Sequence, residues 1–200
     1  MQHTKITITK EELSVMQNVS FLQTKIKVME KMKHLLMELH NEINKEATEL
    51  KIPKQLLSNH GKISKGENYK GMPYLILDYP RNFNKQNIFA VRSMFWWGNY
   101  FLFMLHVQGE LYKGRMETVL KNLYKAKEKD VFIYLGNDPW QHELKSPANK
   151  HINDIKEFPA NPEFIKLSIK LNLDEWDQLP QKGREAFRFF MKISGADDMS

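Results

Sequence analysis

The stretch IFAVRSMFWWGNYFLFMLHV, from Ile88 to Val107, limits the fold more than any other part of this chain. A membrane-spanning helix needs about 20 consecutive, mostly apolar residues. Here Arg92 and His106 stand near the ends and Gly98-Asn99 falls in the middle, so the apolar centre is too short. Glycine and asparagine both tolerate positive φ, and between two apolar runs they signal a tight hairpin turn. The stretch therefore predicts a long β-hairpin over about 87–108. A two-residue loop at Gly98-Asn99 would pair Trp97 with Tyr100, Arg92 with Leu105 and Val91 with His106. Side chains alternate along a strand, so both faces of this hairpin come out apolar and both need a cover. In this register Arg92 and His106 belong to opposite faces.

A buried arginine keeps its charge and requires a carboxylate, carbonyls or a bound anion. Asp78, at the end of the preceding apolar run PYLILDY, is the acidic residue within reach. Two readings follow. Arg92 and Asp78 form a structural ion pair, or Arg92 points into a pocket and holds a ligand carboxylate or phosphate. His106 likewise reads either as a core histidine bonded to a carbonyl or as a general base or ligand contact.

The flanking segments indicate what covers the hairpin. Thr9 and Glu12 form a T-x-x-E capping box, so a helix should begin near Lys10 and break near Asn18 to Ser20. Leu22, Met29, Leu36, Ile43 and Leu50 then recur every seven residues, with Ile26, Met32, Leu39 and Ala47 between them, up to Pro53. Glu46 and neighbouring charges are expected on the solvent side. The apolar stripe suits either a coiled-coil seam between two chains or packing on a sheet of the same chain, and the strands downstream favour the second. The glycines from Gly61 to Gly71, set among lysines, read as a basic loop with Tyr69 as a candidate lid. Its G-x-x-x-x-G spacing is followed by Glu67 and Asn68 rather than Lys and Ser/Thr, so a phosphate loop is excluded.

Residues 112–127 read as an amphipathic helix and VFIYLG from Val131 as a short strand, with irregular structure from Asn137 to Pro162. FIKLSIKLNL alternates cleanly, which predicts an antiparallel strand near a sheet edge, with Lys166, Ser168 and Lys170 on its wet face. Asp174 is the expected cap of a last helical region that carries Trp176, Phe187 and Phe190, with Pro180 breaking it or starting its second helix. The expected fold is one α+β domain over 1–200. An N-terminal helical segment (about 10–58) and a C-terminal one (about 174–194) pack on a mainly antiparallel sheet in a body of about 73–173.

Composition narrows the chemistry. The chain has no cysteine, which excludes disulfides, thiolate nucleophiles and cysteine metal sites. The opening MQHTKITITKEEL has no apolar run of signal-peptide length, so the expected compartment is the cytoplasm, with no membrane association. The net charge of +6 is concentrated in 80–127, where Arg81, Lys85, Arg92, Lys113, Arg115, Lys121, Lys125 and Lys127 face only Glu110 and Glu117. His142-Glu143 followed by His151 lacks H-E-x-x-H spacing, and no G-x-S-x-G is present, so no metal or cofactor site is expected.

The leading expectation is a ligand- or partner-binding domain, monomeric or homodimeric. It would hold an acidic small molecule in an aromatic-lined pocket at the hairpin, using Arg92, His106, Asp78, Arg81, Trp96, Trp97 and Tyr100. The first alternative is nucleic-acid binding through Lys113, Arg115, Lys121 and Lys125, with Arg81 beside them. The second is an enzyme using His106 or the Asp138/His142 loop.

Overall fold

The computed structural model describes residues 6–57, 60–124, 126 and 130–197. The capping box forms as expected: Thr9 Oγ1 accepts from Glu12 N at 3.1 Å, and Glu12 accepts from Thr9 N at 2.7 Å. It opens α1 (Lys10–Gln17), and Asn18 ends that helix and caps α2 (Val19–Glu49). Three long strands follow, β1 (Lys62–Tyr69), β2 (Met72–Phe83) and β3 (Ile88–Trp96), then β4 (Tyr100–Gln108) and α3 (Lys113–Leu123). The chain closes with β5 (Phe132–Tyr134), β6 (Asn149–His151), β7 (Phe164–Leu171), a 3-10 stretch at Leu173–Gln178 and α4 (Leu179–Ile193). The strands form one antiparallel sheet in the order β1-β2-β3-β4-β7-β5-β6. The molecule is α+β, with N- and C-terminal helices packed on the sheet.

One face of the sheet meets the helices. Leu77, Phe89, Phe103, Leu105 and Leu167 from the strands pack against Leu36, Leu39 and Ile43 of α2 and Phe187 and Phe190 of α4. The seven-residue stripe of α2 thus serves its own sheet from Met29 onward, while Leu22 and Ile26 stay exposed, as do all residues of α1. Glu46 is fully buried rather than on the solvent side. It sits where α2 meets α4 and accepts from Nε and Nη2 of Arg188, the latter at 2.8 Å, so the charge is neutralised within the contact. Asn172 rather than Asp174 caps the 3-10 stretch, its N–H donating to Glu175 Oε2 at 3.1 Å. Pro180 stands in the first turn of α4.

Further expectations are corrected. The Gly61–Gly71 region is not a loop, since β1 occupies most of it and pairs with β2 from Lys62↔Asp78 to Tyr69↔Met72. Lysines and a mid-strand glycine hide the strand pattern. Gly66 is there because the Tyr74 ring crosses it, and a Cβ would come within 2.3 Å of that ring. The two-residue turn with positive φ at both positions is Lys70-Gly71 (53° and 80°), not Gly98-Asn99.

At the central hairpin only Gly98 takes positive φ, 71°. Trp97, Gly98 and Asn99 form a three-residue loop, and Trp96 pairs with Tyr100. This one-residue slip inverts every relation between the two strands. Arg92 pairs with Met104 and Ala90 with His106, so Arg92 and His106 share a face.

The strand β7 is interior, between β4 and β5, and its expected wet face is buried at Lys166 and Ser168, each 2% exposed, while Lys170 is exposed as expected. The cover on this second face is the irregular segment around residues 138–144 rather than a helix. Tyr69, expected as a lid, fastens it. The Tyr69 hydroxyl donates to Gln141 Oε1 and accepts from His142 N, both at 2.6 Å.

Candidate functional site

The second face of the sheet is apolar toward the hairpin turn and polar toward its open end. Ile76, Met94, Trp96, Tyr100, Leu102 and Met104 form the apolar half, packed with Tyr69, Tyr74 and Leu144. Trp96 Nε1 donates to Tyr69 O at 3.2 Å. Tyr100 Oη accepts from Leu144 N at 2.8 Å and donates to His142 O at 3.3 Å. Tyr100 therefore fixes the covering segment directly, and Trp96 holds Tyr69, whose hydroxyl does the same.

Cross-strand pairing builds the polar half. Asp78 lies opposite Arg92, and His106 lies opposite Lys166. A bulge in β2 after Asp78 shifts the register, so Arg81 pairs with Ala90, which itself pairs with His106. Arg92 Nε meets Asp78 Oδ1 at 2.6 Å, and its guanidinium lies over the rings of Trp140 (5.1 Å) and Phe83 (5.8 Å). Arg92 is thus consumed by a structural ion pair between two aromatic plates. His106 Nε2 is 3.1 Å from Gln108 Oε1, while its buried Nδ1 has no hydrogen-bond partner among the described residues. Burial, with Lys166 and Arg92 nearby, lowers its pKa to about 4.

Lys166 was expected to face water. Its Nζ instead donates to Pro139 O at 3.1 Å and to Gln141 O, and lies 2.9 Å from His142 Nδ1. Three acceptors thus match the three N–H bonds of an ammonium group. Burial and the charge of Arg92 oppose them and bring Lys166 down to about 7, with Asp138 acting in the other direction. The same burial, with Lys166, Arg92 and His106 around it, holds His142 well below the ordinary histidine range. An amine poised near neutrality beside two neutral imidazoles has the chemistry of a base or nucleophile. The covering segment, to which His142 belongs, leaves all three side chains buried. Strand alternation revealed the side of Lys166, but no signal in its own segment showed what would cover it.

Trp97 stands apart from the other expected site residues. In the hairpin loop it looks to the helix side, where its ring contacts Phe95 edge-on at 6.1 Å. There α2, the hairpin tip and the 3-10 stretch enclose an open pocket of about 460 Å³. Val28, Met32, Phe95, Trp97, Phe101 and Trp176 supply most of its wall, and among the described residues Lys31 is the only charged side chain lining it. Val28, Met32 and Trp176 come from segments remote in sequence, so the sequence reading missed them.

Of the basic residues of the alternative reading, Lys113, Arg115 and Lys121 all stand on α3. Arg115 Nη1 donates to Ser194 O at 3.1 Å, and its guanidinium lies 5.6 Å from the centre of the Phe89 ring. Lys113 lies 4.0 Å from Glu110, Lys121 is exposed, and Lys125 lies outside the described residues. Among the described residues no group of three or more His, Cys, Asp or Glu is placed to hold a metal ion, and no helix is long and apolar enough to cross a membrane. No family model, curated protein or solved structure matches the chain.

Proposed function

We propose that this protein is a binding domain whose hairpin-tip pocket receives an apolar group carrying a negative charge. The observation that carries this reading is the lining, which is aromatic and aliphatic except for Lys31. Its volume of about 460 Å³ falls within the range that accommodates a small organic ligand. The cation of the site is Lys31 rather than Arg92, because Arg92 already has its carboxylate in Asp78. A long-chain carboxylate fits this pattern, with its chain against Phe95, Phe101 and Met32 and its head toward Lys31.

Two tryptophans in the wall make the test direct. Dodecanoate titrated into the protein should produce a saturable change in tryptophan emission. Lys31→Glu should weaken binding about tenfold, equivalent to about 1.4 kcal/mol. Dodecylamine should bind more weakly than dodecanoate to the wild type. An emission change that does not saturate, or that survives unchanged in Trp97→Ala and Trp176→Ala, would refute the reading.

A further inference from the structure

The two faces of the sheet are held shut in different ways. On the helix side apolar side chains interlock, whereas the 138–144 segment covers the other face with no helix or strand of its own. Side chains of the sheet fasten it. Lys166 Nζ donates to Pro139 O and Gln141 O and meets His142 Nδ1. The Tyr69 and Tyr100 hydroxyls accept from the backbone N–H groups of His142 and Leu144. Leu144, at the end of the segment, packs on the apolar patch of Ile76, Met94, Trp96, Leu102 and Met104. The hairpin-tip pocket lies on the opposite face and takes no part in this closure.

We propose that residues 138–144 form an acid-released strap: protons taken up by His142 and His106 lift it from the sheet and uncover the apolar patch around Trp96. His142 belongs to the strap and His106 to the strand beneath, so a charge on either bears on the same contact. With Lys166 protonated, His142 Nδ1 is its acceptor at 2.9 Å. A protonated imidazole has two N–H donors and no acceptor, so a proton there sets donor against donor and cation against cation. His106 uses Nε2 at Gln108, 3.1 Å away, and its buried Nδ1, without a hydrogen-bond partner among the described residues, takes the second proton. That ring stands edge-on to Trp140 of the strap, centroids 5.6 Å apart, so a charge on it gains hydration when Trp140 moves away. The surrounding charges favour release. Lys166 lies opposite His106, and Arg92 acts on both histidines while its own carboxylate, Asp78, is engaged at 2.6 Å. Arg81 stands in the same row of the sheet as His106, with Ala90 between them. Of the strap's carboxylates, Asp138 accepts from Trp140 N at 2.9 Å and Glu143 lies 3.7 Å from Lys70. Burial raises the Tyr69 and Tyr100 phenols, which therefore stay neutral in acid. The closed strap holds both histidines below 6.5, and opening restores them, so opening takes up protons and grows as pH falls. Lys166, at about 7 in the closed strap, is charged in both states below that pH and adds little to the change.

Native-state amide exchange on the full-length chain tests this. From pH 6 to pH 5 the protection of the His142 and Leu144 amides should fall by roughly tenfold per histidine. Low urea should leave these rates unchanged, because a local opening exposes little surface, whereas amides of the α2–α4 contact should quicken with urea. In His142→Gln the side-chain oxygen still accepts from Lys166, and the pH response of the Leu144 amide should shrink to the share of His106. In His106→Gln/His142→Gln it should vanish. His142→Arg places a permanent charge in the strap, so it should bind anilinonaphthalene sulfonate at pH 7 while keeping the native far-UV circular dichroism spectrum. Equal protection at pH 6 and pH 5, or strap exchange as urea-dependent as that of the α2–α4 contact, would overturn the inference. So would a double variant that keeps the native pH response, or a folded His142→Arg protein that leaves the dye unbound. Where a variant does not fold, the exchange of the unaltered protein decides.

Discussion

Arg92 cannot lose its proton, so its position is decided by what neutralises it. Removing one partner of a largely buried pair strands the other charge, at a cost of about 3–5 kcal/mol. Arg92→Met should therefore lower the urea-unfolding free energy by about 3 kcal/mol, and Asp78→Leu added to it should restore most of the loss. A double variant no more stable than Arg92→Met would show that the pair is not the source of the effect. His106 governs the acid side. Its pKa falls from 6.5 unfolded to about 4 folded, so the unfolded chain takes up its proton first as pH falls. Its share of stability is present above pH 6.5 and drains away between 6.5 and 4, a change on the order of 3 kcal/mol. Denaturation curves at pH 7 and pH 4 check this, and His106→Gln should flatten that part of the profile. Lys166 acts at higher pH. With its pKa lowered from 10.5 to about 7, stability rises with pH across that window as the unfolded chain loses the proton that the folded chain has already given up.

Among the elements, β1 depends on two unlike residues. Gly66 leaves room for the Tyr74 ring, so Gly66→Ala drives a methyl group into it. The expected cost is about 1–3 kcal/mol, relieved when Tyr74 is also replaced by Ala; thermal melts of the single and double variants measure both. At the end of β1, three residues beyond Gly66, the Tyr69 hydroxyl ties the covering segment to the sheet. Tyr69→Phe should accelerate amide exchange around residues 141–144 while leaving the α2–α4 contact protected, and uniform acceleration would argue against a local fastening. The same elements explain what was legible in the sequence. The capping box, the α2 stripe and the hairpin's two apolar faces are periodic signals and were readable. The register was not, because Gly98-Asn99 suits a two- or a three-residue loop, and the second takes Trp97 out of the strand pairing. Nor was β1, whose lysines and mid-strand glycine hide its alternation, and whose Gly66 answers to the Tyr74 ring of the neighbouring strand.

Across the whole molecule, the two sheet faces are closed by different means, helices on one and an irregular segment on the other. Alternation in FIKLSIKL announced two sides but could not say that both would be dry, so Lys166 passed for a surface residue. The Arg92–Asp78 pair was legible because only one carboxylate lay within reach, whereas the pocket wall is assembled by the tertiary fold. The sheet's two margins differ from its middle. One is β1, carrying Lys62, Lys65 and Glu67, and the other is β6, three residues long. An open strand edge is a template for adding foreign strands, and charge or brevity makes it a poor one. The broad apolar sheet within is thereby kept from growing into a fibre. Lys62→Val/Lys65→Val should remove that protection, so agitated solutions of this variant should develop thioflavin-positive fibrils while the native protein stays clear.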